Sequence, residues 1–512
     1  MIDEFYKLSM DRDDERASIL NLAFYKLLKM TRKFYLLGPN INCIPDGFEK
    51  EYGAEFIKSD FSTVAVDRNE LGHIAKGEEE SVLYGLLPKL DGQTLIYCSA
   101  PSKASRLMST FVKICEDKKI DIAGMTEEKD KELIEWISVN VNNNWILNKA
   151  LKMGVGMHHG ALPRHIGSSI VDSFNKGKIK YLFCTSTLIE GVNTSAKNVI
   201  LFDKKKGPKL IDYFDFKNIV GRTGRMKEHF IGRVYQFHPE PAKREVQVDF
   251  PFYTQENANS ELLIQLDPKD IKVKKTDIYK KIEHLPEDLQ EIVKSNKGMP
   301  VEGQLAIINL IEQDIDKYHP LMYWSNKVTY PQLLTVLELA WNNLRKKGES
   351  LGGVYTVKQL ALFALKYRAT KSLSAFIKML INDDYTKKQL PDEEERTQKT
   401  VEQALQVTRH WFEYKLPKYL QTMTVLQEYV FTKHNRNPGD YTFLASQIEN
   451  RFLRGNLSIL LEYGVPETAI RKLEKYISPK VEVENIIEVL KKLDIEKIDL
   501  LSYEKQKLIS II

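Results

Sequence analysis

The chain has 512 residues, 43% hydrophobic and 28% charged, and 75 basic against 70 acidic side chains leave a net charge of +5. This is the composition of an ordinary soluble protein with core enough for about two to four domains, and its charge is too weak to announce a nucleic-acid partner by itself. No apolar run reaches the roughly 20 residues of a bilayer span and the start lacks a basic-then-apolar export signal, so a cytoplasmic chain with no membrane partner is expected.

In chain order, the first feature is MIDEFY. An apolar residue running into Asp3-Glu4 is how a strand delivers two carboxylates to a magnesium-nucleotide site. With no strand before them, these residues alone favour an ordinary acidic start. KFYLLGPNI (Lys33–Ile41) and FSTVAVD (Phe61–Asp67) read as strands. From Gln93 to Phe237, short apolar runs alternate with helical stretches. Strands are expected at Thr94–Ala100, Tyr181–Ser186, Asn198–Asp203 and Gly232–Phe237, with an amphipathic helix over Ser102–Lys118. This alternation predicts a parallel sheet covered by helices, with functional residues in the loops beyond the carboxyl ends of the strands. Ser99, Cys184 and Asp203 then share one edge. Cys98 and Cys184 end apolar runs and read as core thiols. No cysteine pair has Cys-x-x-Cys metal spacing, and a reducing compartment is the default.

After Pro251 the strand signals fade. Thr329–Leu344, Val354–Tyr367 and Val401–Leu416 carry apolar residues at helical spacing. The polar run Asn382–Gln398 reads as a linker. The fold class is therefore α/β followed by all-α.

The most informative segment is NIVGRTGR, Asn218 to Arg225. Arg222 and Arg225 are three apart and share a face if helical, while Gly221 and Gly224 let a polyanion approach the backbone. Such a pair suits the charge on a transferring γ-phosphoryl group, although a surface turn with two solvated arginines would look the same. TSTLIEGVN (Thr185–Asn193) ends a strand with hydroxyls suited to phosphate oxygens, or forms a polar loop with a helix cap. GVGMHHGALP (Gly154–Pro163) sets His158 and His159 beside glycines, without the further spaced ligands a zinc site needs.

Taken in order, LIYCSAPSKASRL, GVGMHHGALP, TSTLIEGVN and NIVGRTGR resemble the second motor domain of superfamily-two helicases of the DEAD/DEAH-related kind. The likeness is to the branch with helical C-terminal domains, and it is specific over Thr94 to Phe237. It implies a helicase C-terminal RecA-like domain, a partial first RecA-like domain at the N-terminus, a helical C-terminal region, and ATP between the two motor domains. The implied boundaries are 1–75 for the remnant of the first motor domain, 76–250 for the second, 251–385 for a helical, winged-helix-like domain and 386–512 for a helical C-terminal domain. Arg225 then resembles the arginine finger and Arg222 its companion, with Gly191, Asn193, Gly221 and Asn218 on the ATP side. Ser99, His159, Thr185 and Thr187 lie where the family grips a nucleic-acid strand, DNA or RNA. Asn218 replaces the family's usual Gln, and Thr194-Ser195 replace an apolar residue and Pro.

With that resemblance, Asp3 and Glu4 match the Asp-Glu-x-His box, Asp3 holding magnesium through water and Glu4 positioning the attacking water. Tyr6 replaces the His, and Gly38-Pro39 replace the Ala-Thr of a later motif. No G-x-x-x-x-G-K-[ST] phosphate loop occurs, since the only Gly-Lys, Gly177-Lys178, is followed by Ile179. The sequence therefore reads as starting partway through its first motor domain. ATP and Mg2+ are implied as cofactors once the nucleotide site is completed, and the isolated chain is expected not to hydrolyse ATP. Either an upstream polypeptide carrying the phosphate loop completes it, or the chain is an ATPase-inactive nucleic-acid-binding or scaffold protein. Helicases of this appearance serve DNA repair or phage defence. In the helical half, Lys269–Lys281 is a basic cluster that reads as a solvated face, and Trp411 and Phe412 read as core. Leu461–Ile477 hints at a helix-turn-helix without a DNA-binding role.

Overall fold

The computed structural model describes residues 1–512 except 13–15, 32, 60–64, 73, 121, 123–129, 190–193, 195, 225–230, 274–276 and 347. The chain forms two compact units, each built from three separated stretches. One is Met1–Phe61, Lys243–Ser350 and Lys418–Ala445; the other is Ser62–Ala242, Leu351–Pro417 and Ser446–Ile512.

The second unit is built on strands β1 (Ala65–Glu70), β2 (Thr94–Tyr97), β3 (Val155–His158), β4 (Tyr181–Cys184), β5 (Asn198–Leu201), β6 (Lys205–Lys206), β7 (Lys209–Leu210) and β8 (Ile231–Gln236). Six of them form one sheet in the order β1-β8-β5-β2-β4-β3, every neighbouring pair parallel. β6 and β7 make a separate antiparallel hairpin. The central strands β2, β4 and β5 are buried along their whole length, as sheets covered on both faces require. β1 is the exposed edge, and Asp67, Arg68 and Glu70 discourage further pairing there. Helix Pro101–Asp117 buries Ala104, Leu107, Met108, Phe111 and Cys115, one helical stripe, and the Phe111 ring meets Tyr181 at 5.3 Å.

All four strands expected between Gln93 and Phe237 are present, and β1 begins inside the run read as Phe61–Asp67. β3 was hidden within GVGMHH. Glycine there answers to packing, since a Cβ on Gly156 would sit 3.1 Å from the Ile179 side chain.

Helices complete this unit. Residues from Leu453 onward enclose their own core around Leu457, Leu460, Ile470, Leu473, Ile486, Leu490 and Leu508. This bundle docks on the sheet domain through polar contacts. The Tyr503 hydroxyl donates to His165 O at 2.8 Å, and the Trp136 indole N–H meets Thr468 Oγ1 at 3.2 Å and Glu504 Oε1 at 3.3 Å. Glu504 is wholly buried and pairs with Lys472 at 2.9 Å.

The run read as a linker, Asn382–Gln398, is instead helical, spanning Asp384–Gln389 and the start of Glu393–Val407. Its acidic residues are capping chemistry: Asp383 and Asp392 accept from Thr386 N and Glu395 N, and Glu393, Glu394 and Glu395 occupy a first turn where the helix dipole favours negative charge. A π-helical stretch, Thr408–Lys415, follows, with Trp411 and Phe412 buried as expected.

The first unit has an aromatic core: Phe48 lies 4.7 Å from Phe250, and Phe24 lies 5.5 Å from Phe252. Among its described residues there is no strand, only the isolated parallel bridges Ile2–Leu36 and Cys43–Gln247. Helix Tyr330–Asn343, within the run read as helical, starts at a Thr329–Gln332 capping box. Among the described residues, no helix is long and apolar enough to cross a membrane.

Candidate functional site

Because β2, β3, β4 and β5 are mutually parallel and in register, the residues that follow them emerge at one edge. Ser99 follows β2, and its backbone N–H donates to Asp203 Oδ2 at 2.8 Å, joining the loops after β2 and β5. Lys103 pairs with the other Asp203 oxygen. Thr185 N donates to His158 O at 3.2 Å, joining the loops after β4 and β3. The Thr185 and Thr187 hydroxyls stand 3.1 Å apart, Thr185 buried and Thr187 exposed. Gly160 lies so close to Thr187 that a Cβ would come within 3.0 Å of its methyl group.

His158 and His159 are neutral at physiological pH. Burial pushes His158 down to about 4; burial and then the neighbouring His158 push His159 down to about 3. His159 is only 2% exposed, and its Nδ1 accepts from Ala161 N at 3.3 Å, shaping the loop rather than offering a charge. Burial likewise raises the Cys184 thiol to about 12, in keeping with a core residue.

Helix Tyr213–Val220, capped by Asp212, which accepts from Asp215 N at 2.9 Å, carries Asn218 in its last turn. It ends at Gly221, so Arg222 lies in a turn beyond the helix and the shared-face argument does not hold for it. Thr223 ends the helix by hydrogen-bonding Val220 O at 2.5 Å and bridging Ala196. Gly224 adopts φ +73° and donates to Ala196 O at 2.9 Å. Beneath this turn runs β8, where a Cβ on Gly232 would come within 2.6 Å of Thr223 Cβ. Arg222 and Asn218 are half-buried and Gly221 is exposed. Arg225, Gly191 and Asn193 lie outside the described residues.

In the first unit, Ile2 pairs in parallel with Leu36, so Asp3-Glu4 and Gly38-Pro39 emerge at the same end of the pair. Asp3 is exposed and Oδ1 accepts from Glu4 N at 2.8 Å; Glu4, at φ +55°, pairs with Lys7 at 2.6 Å. Gly38 packs on Phe5, whose ring a Cβ would meet at 3.2 Å. Among the described residues no three His, Cys, Asp or Glu side chains gather to hold a metal. A site that keeps most of its waters and takes phosphate oxygens, as magnesium prefers, fits one carboxylate better than a protein cage does.

Two features escaped the sequence reading. Lys204, Lys205 and Lys209 are exposed on the β6–β7 hairpin, which turns at Gly207-Pro208. Tyr97 Oη donates to Lys205 O at 3.0 Å, and Gly207 N donates to Ser99 O at 2.9 Å, so the hairpin is fixed to that same edge. KKKGPK was a visible signal. The second is a groove of about 770 Å³ running from His159 past Arg164 to Arg409, Glu413 and Arg451. Its segments are distant in the chain, and no local pattern joins them.

Residues 80–227 match the family described as the helicase conserved C-terminal domain. Over that span the chain is similar to the C-terminal motor domain of superfamily-two helicases. Anti-bacteriophage protein B of Escherichia coli K12 is 30% identical over 495 residues, covering 92% of this chain and 65% of that protein. The ATP-dependent DNA helicase Hel308 of Pyrococcus horikoshii is 28% identical over 202 residues, 37% of this chain and 28% of the relative. The RQC trigger complex helicase SLH1 of Saccharomyces cerevisiae is 24% identical over 281 residues, 47% of this chain and 14% of the relative. The chain thus spans less than two thirds of the length of each of these three.

Proposed function

We propose that this chain supplies the second motor domain and the strand-binding surface of an ATP-dependent nucleic-acid helicase. Arg225 acts as arginine finger with Arg222 beside it, and Gly191, Asn193, Gly221 and Asn218 line the nucleotide. Asp3 holds Mg2+ through water and Glu4 orients the attacking water. Ser99, Thr185, Thr187 and the backbone around His159 grip the strand, with the hairpin lysines neutralising its phosphates.

One observation carries this reading: the loops after four parallel strands meet at one edge, with an exposed lysine hairpin fastened to Ser99. The parallel bridge between Ile2 and Leu36 supports the carboxylate role, because Asp3-Glu4 leave it at the same end as Gly38-Pro39. The sequence contains no phosphate-cradling loop, so turnover calls for a polypeptide that brings one. Phage defence, named for the Escherichia coli relative, is the setting we assign.

The test is ATP turnover by the purified chain, alone and with a polypeptide bearing the phosphate loop. Turnover only in the mixture, lost in Arg225→Ala, supports the motor. The lack of that loop also favours a second reading, a strand-binding scaffold, which salt-dependent binding without turnover in either sample would support. Robust turnover by the chain alone, abolished by Arg225→Ala, overturns the need for a partner.

A further inference from the structure

Both backbone polar groups of Ser99 are held by one short segment. Its N–H donates to Asp203 Oδ2 at 2.8 Å, and its carbonyl accepts from Gly207 N at 2.9 Å. The Tyr97 hydroxyl, two residues earlier, donates to Lys205 O at 3.0 Å. The loop after β5 therefore fixes the Ser99 main chain, and the hydroxyl is what Ser99 can offer a phosphate.

Asp203 is only 9% exposed, and a carboxylate buried that far needs a compensating charge. Lys103 provides it: the ammonium binds Asp203 Oδ1 and lies 4.9 Å from the centre of the Phe202 ring. Lys103 occupies the first turn of helix Pro101–Asp117, where the helix dipole disfavours a cation, and Asp203 offsets that cost. A lysine four residues after Ser99 thus stands at the strand edge with its charge already committed. Arg106, one turn further on, is committed too, its guanidinium reaching Glu80 at 2.8 and 2.6 Å.

We propose that Asp203 is a positioning residue of this edge with two tasks: it fixes Ser99 for hydrogen bonding to phosphate, and it withholds Lys103 from the strand. Both tasks rest on the reading that a nucleic-acid strand crosses this edge.

Single-strand binding by the full chain, followed by fluorescence anisotropy across a salt series, tests this. Asp203→Asn keeps an oxygen for the Ser99 N–H but releases Lys103. Its log affinity should fall more steeply with log salt, by about 0.7 for one gained phosphate contact. Adding Lys103→Ala to that variant should restore the original slope. Asp203→Ala removes the oxygen as well. At the highest salt, where counterion release counts least, it should bind about threefold or more weaker than Asp203→Asn. Circular dichroism melting checks that each variant is folded; if Asp203→Ala is not, the two Asn-based variants still decide. An unchanged slope in Asp203→Asn, a double variant whose slope drops below the original, or equal high-salt affinities for Asp203→Asn and Asp203→Ala would each overturn the proposal while leaving the strand reading intact. No binding by the unaltered chain removes the strand reading and the proposal with it.

Discussion

Gly207 donates its backbone N–H to Ser99 O at 2.9 Å, which fastens a lysine hairpin to the loop that follows β2. Lys204, Lys205 and Lys209 therefore present their charge at the edge assigned to the strand. Replacing all three with Ala should weaken single-strand binding and lower the slope of log affinity against log salt by about two, at roughly 0.7 per lost phosphate contact. Fluorescence anisotropy across a salt series measures this. An unchanged slope would detach the hairpin from the strand path.

Glu504 is the buried carboxylate that Trp136, Thr468 and Lys472 share. Glu504→Ala leaves those groups without their partner and should destabilise the second unit by about 3–5 kcal/mol. Urea denaturation followed by tryptophan fluorescence reports the loss, and a shift below about 1 kcal/mol would contradict it.

His158 and His159, held down at about 4 and about 3 by burial, take up protons only when the chain opens. Their contribution is whole above the ordinary histidine value and declines as pH falls through about 6.5 toward those folded values. Between pH 6.5 and 5 each should withdraw roughly 2 kcal/mol. Denaturation midpoints measured from pH 7 to 5 should fall, and the fall should be shallower in His159→Asn.

Gly232→Ala places a methyl within 2.6 Å of Thr223 Cβ and 2.9 Å of Gly224 N. The turn of NIVGRTGR must shift, at about 1–3 kcal/mol. Thermal denaturation should show the loss, whereas Gly85→Ala, on a helix with open space around it, should stabilise by up to about 1 kcal/mol.

What the sequence disclosed depends on how local each cause is. β2, β4, β5 and β8 were legible because burial on both faces writes them as apolar runs. β3 was not, because Gly156 and His158 interrupt the run for packing reasons that only Ile179 and Gly167 reveal. The helices at Asp384 and Glu393 looked like a linker because their capping acids resemble loop composition. The end of the helix before Arg222 turns on Thr223, whose bridge to Ala196 no spacing rule announces. The groove between His159 and Arg451 joins segments far apart in sequence and was invisible for that reason.

The polar bolts at Tyr503 and Glu504 bear on how a minimal fragment could be cut. The span 80–227 that matches the helicase C-terminal family includes Trp136 and His165, whose partners sit near the far end of the chain. Excised by itself, that span would turn an indole and a histidine backbone carbonyl, both buried and partnered in the whole chain, out to water. The evolutionary module is therefore smaller than the folding module.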